Sequence, residues 1–219
     1  MLGLFKKDEN NTIKILNKIE EKSISELRKK IKILIVDDEE YDIFDLLSTR
    51  GYQVFYKEDI AYPIETEPFD IIVLDIKGVA TRFGSNNEGF GFAKEVKMLY
   101  PNKIVLCYSG TSDTKIMDQI KEIDDFIYKD RDIDSWASKL DFYIKKYSDV
   151  EYQWSVIEKK LKQKNINEKK ISELKSGYFK SFETESFNDF KQNFNASVSD
   201  IKLYIEVISS IFSLIKIFS

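Results

Sequence analysis

Three aspartates directly follow two short apolar runs, and this placement favours metal chemistry. Asp37 and Asp38 come after the run 33–36, and Asp75 comes after the run 71–74. Carboxylates that lie close together destabilise one another unless a cation lies among them. Oxygen ligands without histidine or cysteine favour a hard ion such as Mg2+. An aspartate can also cap the helix that follows a strand, and for Asp38 taken alone this simpler explanation stays open.

Two more polar residues follow apolar runs further along the chain. Ser109 ends the run 104–108, and Lys129 ends the run 126–128. A carboxylate, a metal ion, a hydroxyl and an ammonium together can hold a phosphoryl group. In that chemistry Asp75 attacks phosphorus in an in-line displacement, while the metal ion, Lys129 and the Ser109 hydroxyl stabilise the phosphoryl oxygens. The ordered set is more specific than any single member.

This chemistry requires that the residues lie together, and the pattern of the chain predicts that they do. Strands are predicted at 33–36, 52–56, 71–74, 104–108 and 126–128. Helical patterns lie between and after them, near 39–50, 88–99, 113–122 and 133–147. Apolar strands that alternate with helices predict an α/β fold with a parallel sheet covered on both faces. We expect a doubly wound, flavodoxin-like sheet of order 2-1-3-4-5, in which strands one and three meet at the ligand-binding edge.

Composition excludes several other kinds of site. The chain has 219 residues, 42% of them hydrophobic, and a net charge of −4, which gives no general attraction to nucleic acid. It contains no histidine, so Ser-His and Cys-His triads and histidine zinc sites are excluded. The single cysteine, Cys107, lies in an apolar run and is predicted to be a core residue. One cysteine permits no internal disulfide, which favours a reducing, cytoplasmic location.

Changes in pattern along the chain predict three regions, which are an N-terminal helix at 1–31, the α/β domain at 32–147 and an α-helical C-terminal region at 148–219. The N-terminal helix is expected to pack on a neighbouring element or on a second subunit. Neither proline nor glycine interrupts the end of the α/β domain. We therefore predict that its last helix continues past Tyr147 through Trp154 to Leu161.

The segment 201–218 has one narrow polar stripe and a broad apolar face. This pattern is compatible with a helix buried in a small bundle or dimer seam, with a membrane-surface helix, or with a spanning helix. Lys202 and Glu206 would be costly inside lipid, which disfavours the last. Residues 150–219 contain no arginine, which disfavours sequence-specific DNA binding. The core of the bundle is predicted to contain Trp154, Tyr178, Phe179, Phe182, Phe187, Phe190 and Phe194.

The chain resembles the receiver domain of bacterial response regulators in four motifs. These are KILIVDDEE at 32–40, VLD at 73–75, YSG at 108–110 and FIYK at 126–129. The resemblance spans residues 32–146, a little over half of the chain. It implies a flavodoxin-like fold and a role in two-component signal transduction.

The resemblance also implies roles for the three aspartates, Asp37, Asp38 and Asp75, called the acidic cluster below. It implies that Asp75 is the phosphoacceptor and that Asp37 and Asp38 bind Mg2+ together with Asp75. Lys77 would contribute its backbone carbonyl to the same ion. Ser109 and Lys129 would complete the catalytic set with Asp75.

Receiver domains also contain a hydroxyl and an aromatic ring that switch together, and the resemblance assigns these roles to Ser109 and Phe126. In the family, phosphorylation draws the hydroxyl inward and the aromatic ring follows it. The chain departs from the family pattern at two places. Asp130 replaces the usual proline after the lysine, and Gly78-Val79 replaces the usual Met-Pro pair.

We therefore expect a response-regulator-like signalling protein that is phosphorylated on Asp75 in a Mg2+-dependent step and is not an enzyme. Its expected partner is a sensor histidine kinase or a phosphotransfer protein. Output is expected through protein association, with a homodimer through the helical segments as one form, and without nucleic acid. Contact of 201–218 with a membrane surface stays an alternative. A close variant is a phosphate sink in a phosphorelay, which needs no effector.

Two other classes of function stay open. A pseudo-receiver would keep the fold and act as a binding or scaffold module without phosphorylation. Asp130 and the altered loop after Asp75, which contains Gly78-Val79, favour that class, whereas the intact acidic cluster, Ser109 and Lys129 oppose it. A phosphatase-like enzyme would use Asp75 as a transient nucleophile, but Lys77 stands where a second catalytic acid is needed.

Overall fold

The structure is a computed structural model, and it describes residues 22–39, 42–84, 88–110, 120–184, 188–195, 207–208, 211–212 and 214–217. Two compact units are present. The sheet unit comprises residues 24–147. The helical unit contains, among the described residues, 22–23 and those from 148 onward.

The sheet unit is built on a five-stranded sheet of order β2-β1-β3-β4-β5. The strands are β1 (Lys32–Val36), β2 (Gln53–Lys57), β3 (Ile71–Asp75), β4 (Ile104–Ser109) and β5 (Asp125–Tyr128). All neighbouring pairs are parallel. Every residue of β3 and β4 is buried, while the edge strand β2 has no buried residue. Continuous apolar runs therefore became central strands, and the predicted fold class is confirmed.

Helices connect and cover the strands. They are α1 (Ile24–Lys30), α2 (Ile43–Thr49), α3 (Glu88–Leu99) and α4 (Ile133–Ser148). The segment between β2 and β3, which contains Pro63 and Pro68, forms only a short 3-10 helix, Pro63–Thr66, because proline inside a helix interrupts its hydrogen bonds. The helix predicted near 113–122 lies mostly outside the described residues, which contain only the 3-10 helix Ile120–Glu122 from it.

Cys107 lies in the core of the sheet unit, as predicted. It is fully buried in a cluster of apolar residues that covers the α3 face of the sheet. Burial raises the pKa of the Cys107 thiol well above its ordinary value, with a smaller contribution from the negative charge of Asp75. A protonated thiol is a poor nucleophile, so Cys107 serves packing.

The helix α1 is anchored to α4 by a charged contact. Arg28 donates from Nε and Nη2 to the two carboxylate oxygens of Asp141, at 2.8 and 2.6 Å. The Tyr52 hydroxyl donates to the same carboxylate at 2.7 Å, and the Arg28 guanidinium lies 4.4 Å from the centre of the Tyr52 ring. The described part of the predicted N-terminal helix therefore packs on its own chain. The remainder, 1–21, lies outside the described residues.

The predicted continuation of α4 through Trp154 to Leu161 is wrong. The helix α4 ends at Ser148, and a separate helix, α5 (Val150–Gln163), begins after Asp149. The backbone of Asp149 is extended, with φ −74° and ψ 110°. Its carboxylate accepts hydrogen bonds from the backbone N–H groups of Glu151 and Tyr152, at 2.8 and 3.1 Å. Asp149 thus caps a new helix where no proline or glycine is present.

Replacing Asp149 with alanine is expected to destabilise the chain by about 1 kcal/mol, because the first backbone N–H groups of α5 lose their acceptor. For a chain of this size the thermal midpoint would fall by roughly 2–4 °C. The thermal midpoint is measured by circular dichroism during heating. Asp149→Asn is the matched control, since asparagine caps a helix as well as aspartate. A midpoint as low in Asp149→Asn as in Asp149→Ala would show that the cap is not the cause.

The helical unit contains α5, α6 (Glu168–Thr184) and α7 (Asn188–Asn195). Tyr178 is fully buried at its centre, with its ring centroid 5.2 Å from that of Trp154 and 6.1 Å from that of Phe190. The predicted aromatic core is confirmed for the buried residues Trp154, Tyr178, Phe179, Phe190 and Phe194. Phe182 is partly buried and contacts Tyr178, while Phe187 lies outside the described residues.

The described residues of the predicted 201–218 helix are helical and one-sided. Val207, Ile211, Leu214 and Ile217 recur on one face and are buried, whereas Lys216 is exposed. This burial favours the bundle alternative over a membrane-surface helix, which would need a free apolar face. Lys202 and Glu206 lie outside the described residues. No helix in the described part of the chain is long and apolar enough to cross a membrane.

Candidate functional site

The acidic cluster lies at one end of the central strands, as the predicted topology requires. Asp37 and Asp38 follow β1, and Asp75 is the last residue of the neighbouring strand β3. Each aspartate offers one carboxylate oxygen, and these oxygens lie within 4.8 Å of one another. Asp37 is fully buried and Asp75 is 5% exposed, while Asp38 faces solvent. The acidic cluster is therefore mostly buried and reaches solvent at Asp38.

Lys129 supplies positive charge to this cluster. Its Nζ donates to Asp75 Oδ2 at 2.6 Å and lies 3.1 Å from Asp37 Oδ2. Burial lowers the pKa of the Lys129 ammonium, but its hydrogen bonds to Asp75 and Asp37 outweigh that effect and leave the pKa above its ordinary value. The acidic cluster has three carboxylates and Lys129 has one ammonium, so among the described residues the negative charge at the site exceeds the positive charge from Lys129.

The carboxylate of Asp75 is held from two sides. Oδ2 accepts from Lys129, and Oδ1 accepts a longer hydrogen bond of 3.3 Å from the backbone N–H of Lys77. Burial raises the pKa of Asp75 above its ordinary value, although the hydrogen bond from Lys129 lowers it. A divalent cation beside Asp75 would act in the same direction as Lys129 and favour the ionised form. Lys77 is therefore adjacent to the site, and its predicted carbonyl role stays a prediction.

Two glycines give the site its shape. Gly78 has a φ of +78°, and a Cβ on it would lie 2.1 Å from Asp38 Oδ2. Gly89, at the start of α3, would place a Cβ 1.9 Å from the backbone oxygen of Asp75. Any side chain at either position would collide with the acidic cluster or with the backbone that carries it. These glycines therefore permit the close approach of the loop after β3 to the carboxylates.

The predicted switch residues lie on β4 and β5, where Ser109 is the last residue of β4 and Phe126 is the second residue of β5. Ser109 ends β4, is 4% exposed and accepts the backbone N–H of Lys129 at 3.0 Å through its carbonyl. Phe126 pairs with Cys107 in the sheet and is 6% exposed. Its ring centroid lies 4.9 Å from that of Tyr128. Both residues are therefore on the strands that border the acidic cluster, and their switching roles stay predictions.

Tyr108 contacts the acidic cluster, although the sequence indicated it only as a member of an apolar run and of the YSG motif and predicted no site role for it. The Tyr108 hydroxyl donates to Asp37 Oδ2 at 2.5 Å. A second tyrosine, Tyr56, donates from its hydroxyl to the backbone oxygen of Asp37 at 2.6 Å. A usable signal existed, because Tyr108 has a polar tip and directly precedes Ser109 at the predicted site edge.

The acidic cluster fits Mg2+. Its donors are carboxylate oxygens, which this ion prefers, and Lys129 leaves part of their charge uncompensated. The glycine at position 78 leaves room for the Asp38 carboxylate beside the loop. Asp37, Asp38 and Asp75 are therefore the residues that would hold the ion.

The folded chain is similar to solved structures, although no protein-family model and no curated protein matches its sequence. A CheY-like response regulator receiver domain protein from Methanospirillum hungatei JF-1 has a TM-score of 0.45 and 18% identity, over 53% of this chain and 95% of that chain. The receiver domain of NtrX from Brucella abortus has a TM-score of 0.43 and 23% identity, over 51% of this chain and 97% of that chain.

A response regulator from Thermotoga maritima is a third such structure, with a TM-score of 0.44 and 16% identity over 52% of this chain and 98% of that chain. The observed sheet order by itself establishes a flavodoxin-like fold for the sheet unit. Two of these three structures are named as receiver domains and the third as a response regulator, and each is matched over about half of this chain.

Proposed function

We propose that this chain is a response-regulator-like signalling protein that accepts a phosphoryl group on Asp75 in a Mg2+-dependent step. The observation that carries the proposal is the contact of Lys129 with Asp75, inside a cluster of three aspartates whose oxygens lie within 4.8 Å. A nucleophilic carboxylate, a cation site and a fixed ammonium are thus present together. This combination serves phosphoryl transfer.

In the proposed step a carboxylate oxygen of Asp75 attacks the phosphorus of a phosphodonor. The new O–P bond forms as the bond from phosphorus to the leaving group breaks, and the leaving group departs with that electron pair. With a phosphohistidine donor the leaving group is an imidazole of the partner, and with acetyl phosphate it is acetate. The product is an acyl phosphate on Asp75, which water later hydrolyses to the carboxylate and inorganic phosphate.

The residues of the chain orient and stabilise this transfer. Lys129 places its ammonium beside Asp75 and stabilises the charge on the transferred oxygens. The Ser109 hydroxyl, at the end of the adjacent strand β4, donates to one of those oxygens. Asp37 and Asp38 would hold Mg2+ together with Asp75, and the ion would supply charge neutralisation at the phosphoryl group.

The proposed output is a change in protein association. Ser109 and Phe126 would transmit the phosphorylated state to the surface beside β4 and β5, and a sensor histidine kinase or a phosphotransfer protein would supply the phosphoryl group. The location consistent with these partners and with one cysteine is the cytoplasm. A phosphate sink within a phosphorelay uses the same chemistry without an output partner. A scaffold without phosphorylation is the second candidate, which Asp130 after Lys129 favours.

Intact mass spectrometry of the full chain tests the proposal. Incubation with acetyl phosphate and MgCl2 is expected to add one phosphoryl mass, and chelation of Mg2+ with EDTA is expected to abolish the gain. Asp75→Ala should remove the gain, while Asp134→Asn, which changes an exposed aspartate away from the acidic cluster, should keep it. Absence of any gain together with no detectable Mg2+ binding would instead favour the scaffold.

A further inference from the structure

Tyr108 is in close contact with the proposed metal site and has no role in the proposed phosphoryl transfer. It is fully buried in β4 and pairs with Asp75 on one side and Ile127 on the other. Its side chain extends to the acidic cluster, where the hydroxyl donates to Asp37 Oδ2 at 2.5 Å. A buried tyrosine therefore contacts a predicted metal ligand directly.

The Tyr108 ring is fixed by two neighbours. The Trp136 ring packs edge-on against it, with a centroid distance of 5.4 Å and an interplanar angle of 80°. Lys129 is the second neighbour, with Nζ 5.2 Å from the centre of the Tyr108 ring, within the range of a cation–π contact. Trp136 is itself fully buried. The hydroxyl of Tyr108 is consequently held at one position, because the ring cannot change rotamer without displacing these neighbours.

Asp37 depends on this hydroxyl for its orientation. The aspartate is fully buried, and its Oδ1 accepts the backbone N–H of Glu39 at 3.0 Å. Its Oδ2 receives both the Tyr108 hydroxyl and the Lys129 ammonium, the latter at 3.1 Å. Lys129 Nζ also donates to Oδ1 at 3.4 Å, so it contacts both oxygens, whereas the Tyr108 hydroxyl donates to Oδ2. A hydrogen bond to an ionised carboxylate stabilises the charge, and such partners commonly orient metal ligands.

We propose that Tyr108 is a positioning residue that orients the Asp37 carboxylate for cation binding and keeps Lys129 beside Asp75. This inference rests on the proposed function, because it assigns Asp37 to the Mg2+ site. Its particular content is that the hydroxyl, and not only the ring, determines the affinity of the site for Mg2+. The alternative is that Tyr108 merely fills the core.

Tyr108→Phe separates these two roles, because phenylalanine keeps the ring that packs on Trp136 and Lys129 and removes only the hydroxyl. The matched control is Tyr147→Phe, since the Tyr147 hydroxyl also donates to an aspartate, Asp70 Oδ1 at 2.8 Å, away from the acidic cluster. Calorimetric titration of the full chain with MgCl2 measures the dissociation constant. We expect it to rise roughly 10-fold in Tyr108→Phe, and to be unchanged in Tyr147→Phe.

A second measurement separates binding from transfer. The initial rate of phosphoryl incorporation from acetyl phosphate is followed against MgCl2 concentration. Tyr108→Phe should need more Mg2+ for half of its maximal rate, while its rate at saturating Mg2+ stays within about threefold of wild type, because the reacting groups are unchanged. Thermal midpoints of both variants verify that each is folded under the assay conditions.

The possible outcomes distinguish this inference from the proposed function. If wild type binds Mg2+ and Tyr108→Phe binds it equally well, the positioning role is overturned while the proposed function stands. If both tyrosine variants lose affinity to the same extent, the loss is not specific to the site and the positioning role is again overturned. If wild type itself shows neither Mg2+ binding nor phosphorylation, both proposals fail.

Discussion

Replacing Lys129 with methionine is expected to lower the rate of phosphoryl incorporation at Asp75 by about 100-fold or more. Removal of one preorganised donor that stabilises charge in a transition state commonly slows a reaction by this factor. Methionine keeps most of the length of the side chain and removes the ammonium that donates to Asp75 Oδ2 at 2.6 Å. The charge on the transferred oxygens is then no longer stabilised by this ammonium. A time course of intact mass with acetyl phosphate and MgCl2 measures the effect.

The same variant should keep its Mg2+ binding, because loss of the cation beside Asp37 and Asp75 leaves more negative charge for the ion. Retained binding with slow transfer would show that the acidic cluster is intact. Lys139→Met is the matched control, since Lys139 pairs with Asp125 at 2.8 Å outside the cluster. A wild-type rate in Lys129→Met would contradict the assigned role of the ammonium.

Replacing Gly89 with alanine is expected to lower the free energy of unfolding by about 3 kcal/mol, at the upper end of the usual cost of overpacking. The added Cβ would lie 1.9 Å from the backbone oxygen of Asp75 and 2.8 Å from Cγ2 of Val79. Neither the β3 backbone nor the buried Val79 can yield without moving the core. Because Asp75 is the proposed phosphoacceptor, phosphoryl incorporation should fall as well. Urea unfolding measures the stability of the variant.

Gly110→Ala is the control for this substitution. Gly110 follows Ser109 at the same edge of the sheet, but a Cβ added there meets no atom of the described residues within 4 Å. Its effect on the free energy of unfolding is expected to stay below about 1 kcal/mol. Wild-type stability and phosphorylation in Gly89→Ala would mean that α3 can move away from Asp75 at little cost, and the glycine would then have no essential role.

The fold of the sheet unit could be predicted because its central strands are continuous apolar runs. Burial on both faces of β3 and β4 leaves little freedom in residue type, so Ile71 to Leu74 and Ile104 to Cys107 are recognisable without any partner information. The polar residue that ends each run then defines the edge where the site forms. Asp75 and Lys129 follow from this pattern, and the structure places them 2.6 Å apart.

Features that depend on a particular hydrogen bond or on distant packing could not be predicted in the same way. Asp149 separates two helices because its carboxylate accepts two hydrogen bonds from backbone N–H groups. In the sequence it cannot be distinguished from an ordinary polar residue. Tyr108 has the same hydrophobic character as its neighbours until the partner of its hydroxyl is known. The close approach of Gly89 to Asp75 depends on where α3 begins relative to β3.

The shielded thiol of Cys107 makes the chain a convenient substrate for site-selective labelling. It is the sole cysteine of the sequence, it is fully buried, and its raised pKa keeps it protonated. A maleimide dye should therefore react with a cysteine newly placed at exposed Tyr62 or Phe212 long before it reaches Cys107. In the unaltered chain, the rate of slow alkylation of Cys107 would instead measure how often the centre of the sheet opens to solvent.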